Sequence, residues 1–268
     1  MKIKKLWVIK AGSAMVVHGG PLLVRAWAGQ IAHLRKLGIG VVWVSSGAIA
    51  TGALRAHRQW KTLPEKQALS AIGQPAVVDM YNLALQPEGL QAAQVLITYD
   101  DMKHSKRKKN LQNTLQTLLS WGVIPIINEN DTVATEEIQF GDNDGLSAKL
   151  AVLLKADRLV ILTDVEGLYT ADPKNNPQAE LIHQVNRIDQ KILAGLEKKV
   201  KKASGTSISR GGMLSKILAA QVAQKKGIET WLLKGDTAAG LVKVAQNQVV
   251  GTKIGIHKGS KKSGSKKS

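Results

Sequence analysis

NENDTVATEEIQFGDNDGLSAK, residues 128–149, is the stretch on which the reading of this chain turns. It follows an apolar run, GVIPII at 122–127, that reads as a short buried strand. Asn128, Glu129, Asn130 and Asp131 stand where that strand must end. Ten residues later a second polar cluster, Gly141-Asp142-Asn143-Asp144, opens a helix expected over 143–155. Asn and Asp are ordinary caps and turn formers. Six of them in two short clusters exceed what capping needs. One cluster at a strand end and one at a helix start are what a pocket at the carboxyl edge of an α/β sheet presents.

Working outward, the same rhythm recurs. Apolar strands are expected at 6–9, 39–44, 91–98, 122–127, 158–162 and 228–233, with a short edge element at 251–256. Helical periodicity is expected at 21–37, 64–85, 105–121, 143–155 and within 211–226, and Gly38 stops the first of these. Strands alternating with helices predict an α/β fold with parallel pairing and right-handed crossovers. Small or polar residues follow strand after strand: Lys10-Ala-Gly12-Ser13, Ser45-Ser46-Gly47, Thr163-Asp164 and Lys234-Gly235. That places a site along one edge of the sheet, where small turns leading into helices suit an anion.

Composition removes several classes. The chain of 268 residues has no Cys, which excludes a disulfide framework, a thiolate nucleophile and a Cys metal site, and fits a reducing cytoplasm. No apolar run approaches the roughly 18 residues of a membrane helix, and the start is not a signal peptide, because Lys10 interrupts its apolar run. Neither the P-loop pattern nor G-x-G-x-x-G occurs, and the six His residues form no hydrolase elbow. The formal net charge of +18 raises nucleic acid as a partner. Yet the charge sits in three runs (Lys103 to Lys109, Lys198 to Lys202 and the tail 258–268) without the interleaved aromatics of a single-strand platform. Solvated faces with no specific nucleic-acid partner are expected.

VIKAGSAMV (8–16), SSGAIATG (45–52), INENDTVATEEIQFGDND (127–144), LTDVEGLYTADP (162–173) and GGMLSK (211–216), in this order, resemble the amino acid kinase family. The resemblance covers about residues 5–256. The first, second and last motifs are shared widely in that family. The INEND…GDND pair is more specific and points to the branch acting on free glutamate rather than the acetylglutamate, aspartate, carbamate and uridylate kinases. The resemblance implies a three-layer sandwich around a mainly parallel sheet of roughly eight strands. It implies one kinase domain over 1–257, with an acceptor-binding amino half and an ATP-binding carboxyl half. ATP, Mg²⁺, L-glutamate, a homo-oligomer and feedback by proline come with it. Many bacterial members also carry a PUA domain. Here 258–268 is expected to be a disordered Lys/Ser/Gly tail, and the chain to work without PUA.

The matched motifs also imply site residues. Lys10 and Lys216 are expected to flank the transferred phosphoryl group from opposite halves, with Asp144 as the acid that organises both. Gly12 and Ser13 are expected to offer backbone N–H groups. Ser46, Asp131 and Asn143 match the substrate positions, Asp131 taking the ammonium and the other two the carboxylates. Thr163, Asp164 and the run Arg210, Gly211, Gly212, Met213, Leu214, Ser215, Lys216 match the nucleotide site, which Lys10 also joins. No protein metal ligand is assigned. The sequence departs from the usual pattern at Ala14 after Ser13 and at Ser209-Arg210 before Gly211. The alternatives are a kinase for another carboxylate such as acetylglutamate, and a polyanion-binding protein on the same fold without turnover.

Overall fold

The computed structural model describes residues 3–134, 143–173, 175–190, 192–197 and 212–255. Its strands are β1 (Lys5–Ala11), β2 (Ile39–Val44), β3 (Ala92–Ile97), β4 (Ile124–Glu129), β5 (Arg158–Thr163), β6 (Gln184–Val185), β7 (Glu229–Lys234) and β8 (Thr252–Ile254). They make one sheet in the order β3-β4-β2-β1-β5-β7-β8-β6. Every pairing is parallel except β7 with β8. The strands before residue 130 therefore form one half and those after 157 the other, joined by β1 against β5.

Helices cover both faces, which is why β1, β2 and β5 read as apolar runs rather than alternating ones. On one face α1 (Ser13–Lys36) and α3 (Leu63–Leu85) bring Trp27, Ile31, Val77 and Tyr81 against Trp7, Ile9, Trp43, Val160 and Leu162. On the other, α5 (Ser105–Ser120), α6 (Asn143–Leu154) and the helix Met213–Gln224 bring Leu115, Leu150 and Ile217 against Val8, Val42, Ile127 and Ile161. Each such side chain, fully buried, contributes about 1.5–3 kcal/mol. The two-residue alternation of β1 follows from this: Trp7, Ile9 and Ala11 face α1, and Val8 faces α6. Lys10 shares the parity of Val8, so it emerges on the α6 side.

The expected α/β three-layer architecture with eight strands is what the chain forms. Some boundaries differ. α1 begins at Ser13, not Pro21, and bends at Gly20 (φ 54°, ψ −156°), a backbone state that glycine reaches without a Cβ penalty. Gly20 and Pro21 hid its first two turns. The short helices α2 (Ala48–Ala56) and α4 (Tyr99–Lys103) and the two-residue β6 carry too little pattern to be read ahead. α3 starts as its capping box dictates. Glu65 N donates to the Thr62 hydroxyl at 3.4 Å, and the Glu65 carboxylate accepts from Thr62 N at 2.8 Å. Within the basic run, Lys103 pairs with Asp100 and Arg107 with Asp101, both exposed. The runs at 198–202 and 258–268 lie outside the described residues. Among the described residues, no helix is long and apolar enough to cross a membrane.

At the amino edge of the sheet Glu229 binds Arg158 at 2.8 Å and Lys253 at 2.9 Å, and accepts from Trp231 Nε1 at 2.8 Å. Partial burial raises its pKa, but Lys253, the Trp231 N–H and the Arg158 charge outweigh that and hold the carboxyl below its usual value. A depressed folded-state pKa stabilises above the unfolded value and is lost as pH falls through the folded one. Glu229→Gln is therefore expected to lose stability relative to the parent at neutral pH. The difference should shrink as pH falls below about 4, near the ordinary Glu pKa. Thermal midpoints measured from pH 3 to 8 check it; a gap independent of pH would remove the carboxylate from the account.

Candidate active site

Three buried side chains meet at the carboxyl edge of β1. Asp144 Oδ1 lies 2.5 Å from Lys10 Nζ, and its Oδ2 lies 3.3 Å from Lys216 Nζ. Relative exposures are 0% for Asp144, 3% for Lys10 and 4% for Lys216, so all three charges are withdrawn from water. Each arrives by a local rule. Lys10 ends β1 on the parity that faces α6. Asp144 is in the first turn of α6, where a carboxylate suits the helix dipole. Lys216 follows Gly212, the N-cap of its helix. The Ser215 hydroxyl also reaches Asp144 Oδ2 at 3.0 Å. Two ammonium groups thus face one carboxylate in low dielectric, positioned positive charge that suits an anionic ligand.

The Asn/Asp loop forms a second network beside it. Asn143 Nδ2 donates to the Ser45 carbonyl at 2.6 Å, with Asn128 Oδ1 at 2.7 Å and the Ser46 hydroxyl at 2.9 Å. Asn128 Nδ2 donates to Gln74 Oε1 at 2.8 Å, and Asn128 Oδ1 also accepts from Glu129 N at 3.0 Å. Asp131 accepts from the Ser70 hydroxyl at 3.0 Å. Ser46 lies at the β2–α2 turn, where Gly47 has φ 94°. Beneath it, the Tyr81 phenol accepts from Trp43 Nε1 at 2.8 Å and from the Ser45 hydroxyl at 3.3 Å. Burial pushes the Tyr81 pKa up to about 12 against those two hydrogen bonds, so the phenol stays neutral. A cavity of about 190 Å³ opens between α3 and this loop, lined among others by Ser70, Gln74, Glu129, Asn130 and Asp131.

The expected residues thus gather along one edge. Thr163 ends β5 and donates to Asp164 at 3.0 Å; Gly235 N donates to the Thr163 carbonyl at 2.8 Å. Gly12 differs in detail. Its N–H points to the Leu162 carbonyl at 3.4 Å, continuing the ladder, which leaves Ser13 and the following residues of the first turn to meet a ligand. A Cβ on Gly12 would sit 3.8 Å from Lys10 Nζ, so a methyl fits and longer side chains run toward the lysine. Arg210, Gly211, Gly141 and Asp142 lie outside the described residues.

Reading the sequence missed Gln67, Ser70, Gln74 and the Ser45 carbonyl. Gln67, Ser70 and Gln74 recur at helical spacing on α3, and Gln67 donates to the Ala134 carbonyl at 3.0 Å. That polar stripe on a half-buried helix was the available signal. Among the described residues, no cluster of His, Asp and Glu could hold a metal ion. Asp144 is already committed to two lysines and a hydroxyl. The described side chains therefore do not by themselves make a protein-held Mg²⁺ site, which usually takes one or two carboxylates together with substrate phosphates.

The profile of the Amino acid kinase family matches residues 5–234. A protein named glutamate 5-kinase from Nitrosospira multiformis is 44% identical over 264 residues, covering 95% of this chain and 68% of that protein. Another of that name, from Methylobacillus flagellatus, is 46% identical, covering 93% of this chain and 68% of its own length. Among solved structures, carbamate kinase from Giardia lamblia bound to AMP-PNP superposes with a TM-score of 0.65 at 19% identity, covering 96% of this chain and all of that one. UMP kinase from Bacillus anthracis gives 0.61 at 15% identity, covering 95% and 97%. At such identities the two structures speak to the fold alone.

Proposed function

Because the chain belongs to the amino acid kinase family and, within it, to the glutamate 5-kinases, we propose that it transfers the γ-phosphoryl group of ATP to the side-chain carboxylate of L-glutamate. The products are ADP and L-glutamyl 5-phosphate, and the reaction opens proline biosynthesis. A carboxylate oxygen forms the new bond to phosphorus as the bond to the β,γ-bridging oxygen breaks, its electron pair leaving on ADP. With a pKa of about 4.3 the attacking carboxylate is already ionised, so no general base is needed.

The observation that carries this reading is Asp144 held between Lys10 and Lys216 at the sheet edge. Phosphoryl transfer asks for positioned positive charge more than for covalent help. Lys10 and Lys216 are assigned to the charge of the transferring group, and Asp144 to holding them at fixed positions. Ser46, Asp131 and Asn143 hold the amino-acid end of glutamate. Thr163, Asp164 and Arg210 to Lys216 hold the nucleotide, with Ser13 offering its N–H at the start of α1. Any Mg²⁺ accompanying ATP would be held by phosphate oxygens and water. The same premise extends the proposal to one kinase domain over 1–257, working in the cytoplasm as a homo-oligomer inhibited by proline.

The test is ADP release dependent on glutamate and Mg²⁺, with hydroxylamine trapping the acyl phosphate. Hydroxamate from acetylglutamate but not from glutamate would overturn the assignment. Asp131→Ala is expected to raise the KM for glutamate by about 10–100-fold, the loss of a charge-assisted hydrogen bond, with kcat little changed. An unchanged KM would move the ammonium subsite elsewhere.

A further inference from the structure

We propose that Gln74, on α3 and outside every motif that carries the family resemblance, is a positioning residue for the acceptor, acting through a buried relay of three amides that turns Asn143 into a group able only to accept. The inference rests on reading this site as that of a glutamate kinase. An amide side chain has a donating and an accepting end of nearly the same shape, and its partners decide which end faces where. Two backbone groups set the polarity here. Glu129 N–H can only donate, so it takes the oxygen of Asn128 at 3.0 Å. The Ser45 carbonyl can only accept, so it takes the nitrogen of Asn143 at 2.6 Å.

Given those anchors, Asn128 must point its own Nδ2 into α3, where Gln74 Oε1 receives it at 2.8 Å. Asn128 is 2% exposed and Gln74 7%, so this hydrogen bond is made largely out of water. Without Gln74 the buried amino group of Asn128 is orphaned, and the side chain turns away to find an acceptor. Its Oδ1 then leaves Asn143 Nδ2, now 2.7 Å away. With the relay intact, the two N–H bonds of Asn143 are shared among the Ser45 carbonyl, the Ser46 hydroxyl and Asn128. What Asn143 has left for a ligand is its carbonyl oxygen. Such a group recognises the ammonium of an amino acid. The carboxylate role expected for Asn143 from the motif needs its N–H bonds, which are spent.

Kinetics of Gln74→Leu, Gln74→Glu and Asn128→Asp test the relay. Gln74→Leu is expected to raise the glutamate KM by about ten-fold or more, as for one hydrogen bond to a charged group. The ATP KM should stay within about two-fold, because the nucleotide contacts lie across the sheet. Glutarate, which lacks the ammonium, should lose much less, so the preference for glutamate narrows. Gln74→Glu keeps an oxygen facing Asn128 and should restore most of the affinity. A general packing defect would instead weaken ATP, glutamate and glutarate together, and that result overturns the proposal, as does an unchanged glutamate KM. Should Gln74→Leu fail to fold, Asn128→Asp decides. Its two oxygens still accept from Asn143 and Glu129 N, and Gln74 can turn its amino group inward, so the glutamate KM should stay within about three-fold. A ten-fold rise refutes the relay. If the parent enzyme turns over some other acceptor and no glutamate, the function assigned above falls, and side-chain amide NMR of the ligand-free protein still scores the relay. Asn143 Nδ2 signals that do not move in Gln74→Leu would overturn it.

Discussion

Lys10→Met is expected to lower kcat by about 10²–10³-fold, the loss typical of one preorganised charge aimed at a developing transition state. The KM values for ATP and glutamate should move far less, because the charge acts on a group that exists only during transfer. The fold should survive. Asp144 keeps Lys216 and the Ser215 hydroxyl, and methionine refills the stem of the lysine. Asp144→Ala is expected to behave differently. It removes the carboxylate that both ammonium groups touch, in a site where Lys10 and Lys216 are almost fully buried. Removing one partner from a buried ion network costs about 3–5 kcal/mol, so stability and turnover should fall together. The asymmetry between the two variants is the informative result. Trapped hydroxamate gives kcat and thermal unfolding gives stability. A Lys10→Met enzyme with near-normal kcat and a raised ATP KM would reduce Lys10 to a binding charge.

Gly73→Ala is expected to be among the most destabilising single-methyl changes in the chain. α2 and α3 cross so closely that a Cβ on Gly73 would lie 1.9 Å from the Ala48 carbonyl oxygen and 2.5 Å from Gly52 N. A Cβ on Gly52 would lie 1.8 Å from the Leu69 carbonyl oxygen. These neighbours are backbone, so relief comes only by moving one helix off the other. Overpacking of this kind costs about 3 kcal/mol, or roughly 6–12 °C in Tm for a domain of this size. The displaced helices carry Ser46 at one end and Ser70 and Gln74 along the other, so glutamate KM should rise in whatever folds. Gly195→Ala is the control, since a Cβ there meets none of the described residues within 4 Å. Equal midpoints for the two variants would show that the crossing yields cheaply.

Much of this architecture is legible in the sequence for a simple reason. Strands buried on both faces, such as Ile39–Val44 and the 159–162 core of β5, have to be apolar along their buried length, and the polar residues closing them have to stand at the ligand edge. Lys10, Asp144 and Lys216 are marked by the motifs that carry the family resemblance, VIKAGSAMV, INEND…GDND and GGMLSK. What the sequence hides is contact made across the fold. Nothing local tells that Gln74 answers Asn128, 54 residues away. Nor does anything near Ser45 announce that its carbonyl, rather than its hydroxyl, meets Asn143. Short β6 escapes because two residues carry no period, whereas the short element expected at 251–256 is β8, which β6 covers at the edge.

The place of β1 in the sheet bears on how the chain is made. It precedes every other described strand along the chain, yet it lies in the middle of the sheet, between β2 and β5. Its partner β2 follows within some thirty residues, whereas the bond from Leu6 N to the Asp157 carboxylate spans 151 positions. On the ribosome, at about 5–20 residues per second, the acceptor half β3-β4-β2-β1 can therefore assemble a few seconds before β5 exists. Until then β1 presents a bare edge, apolar over residues 6–9, the kind of surface that recruits other nascent chains. The seam that brings Lys10 to Lys216 in the finished enzyme cannot close until β5 has been made, and that wait is an interval in which the unfinished protein is exposed to aggregation and to chaperones.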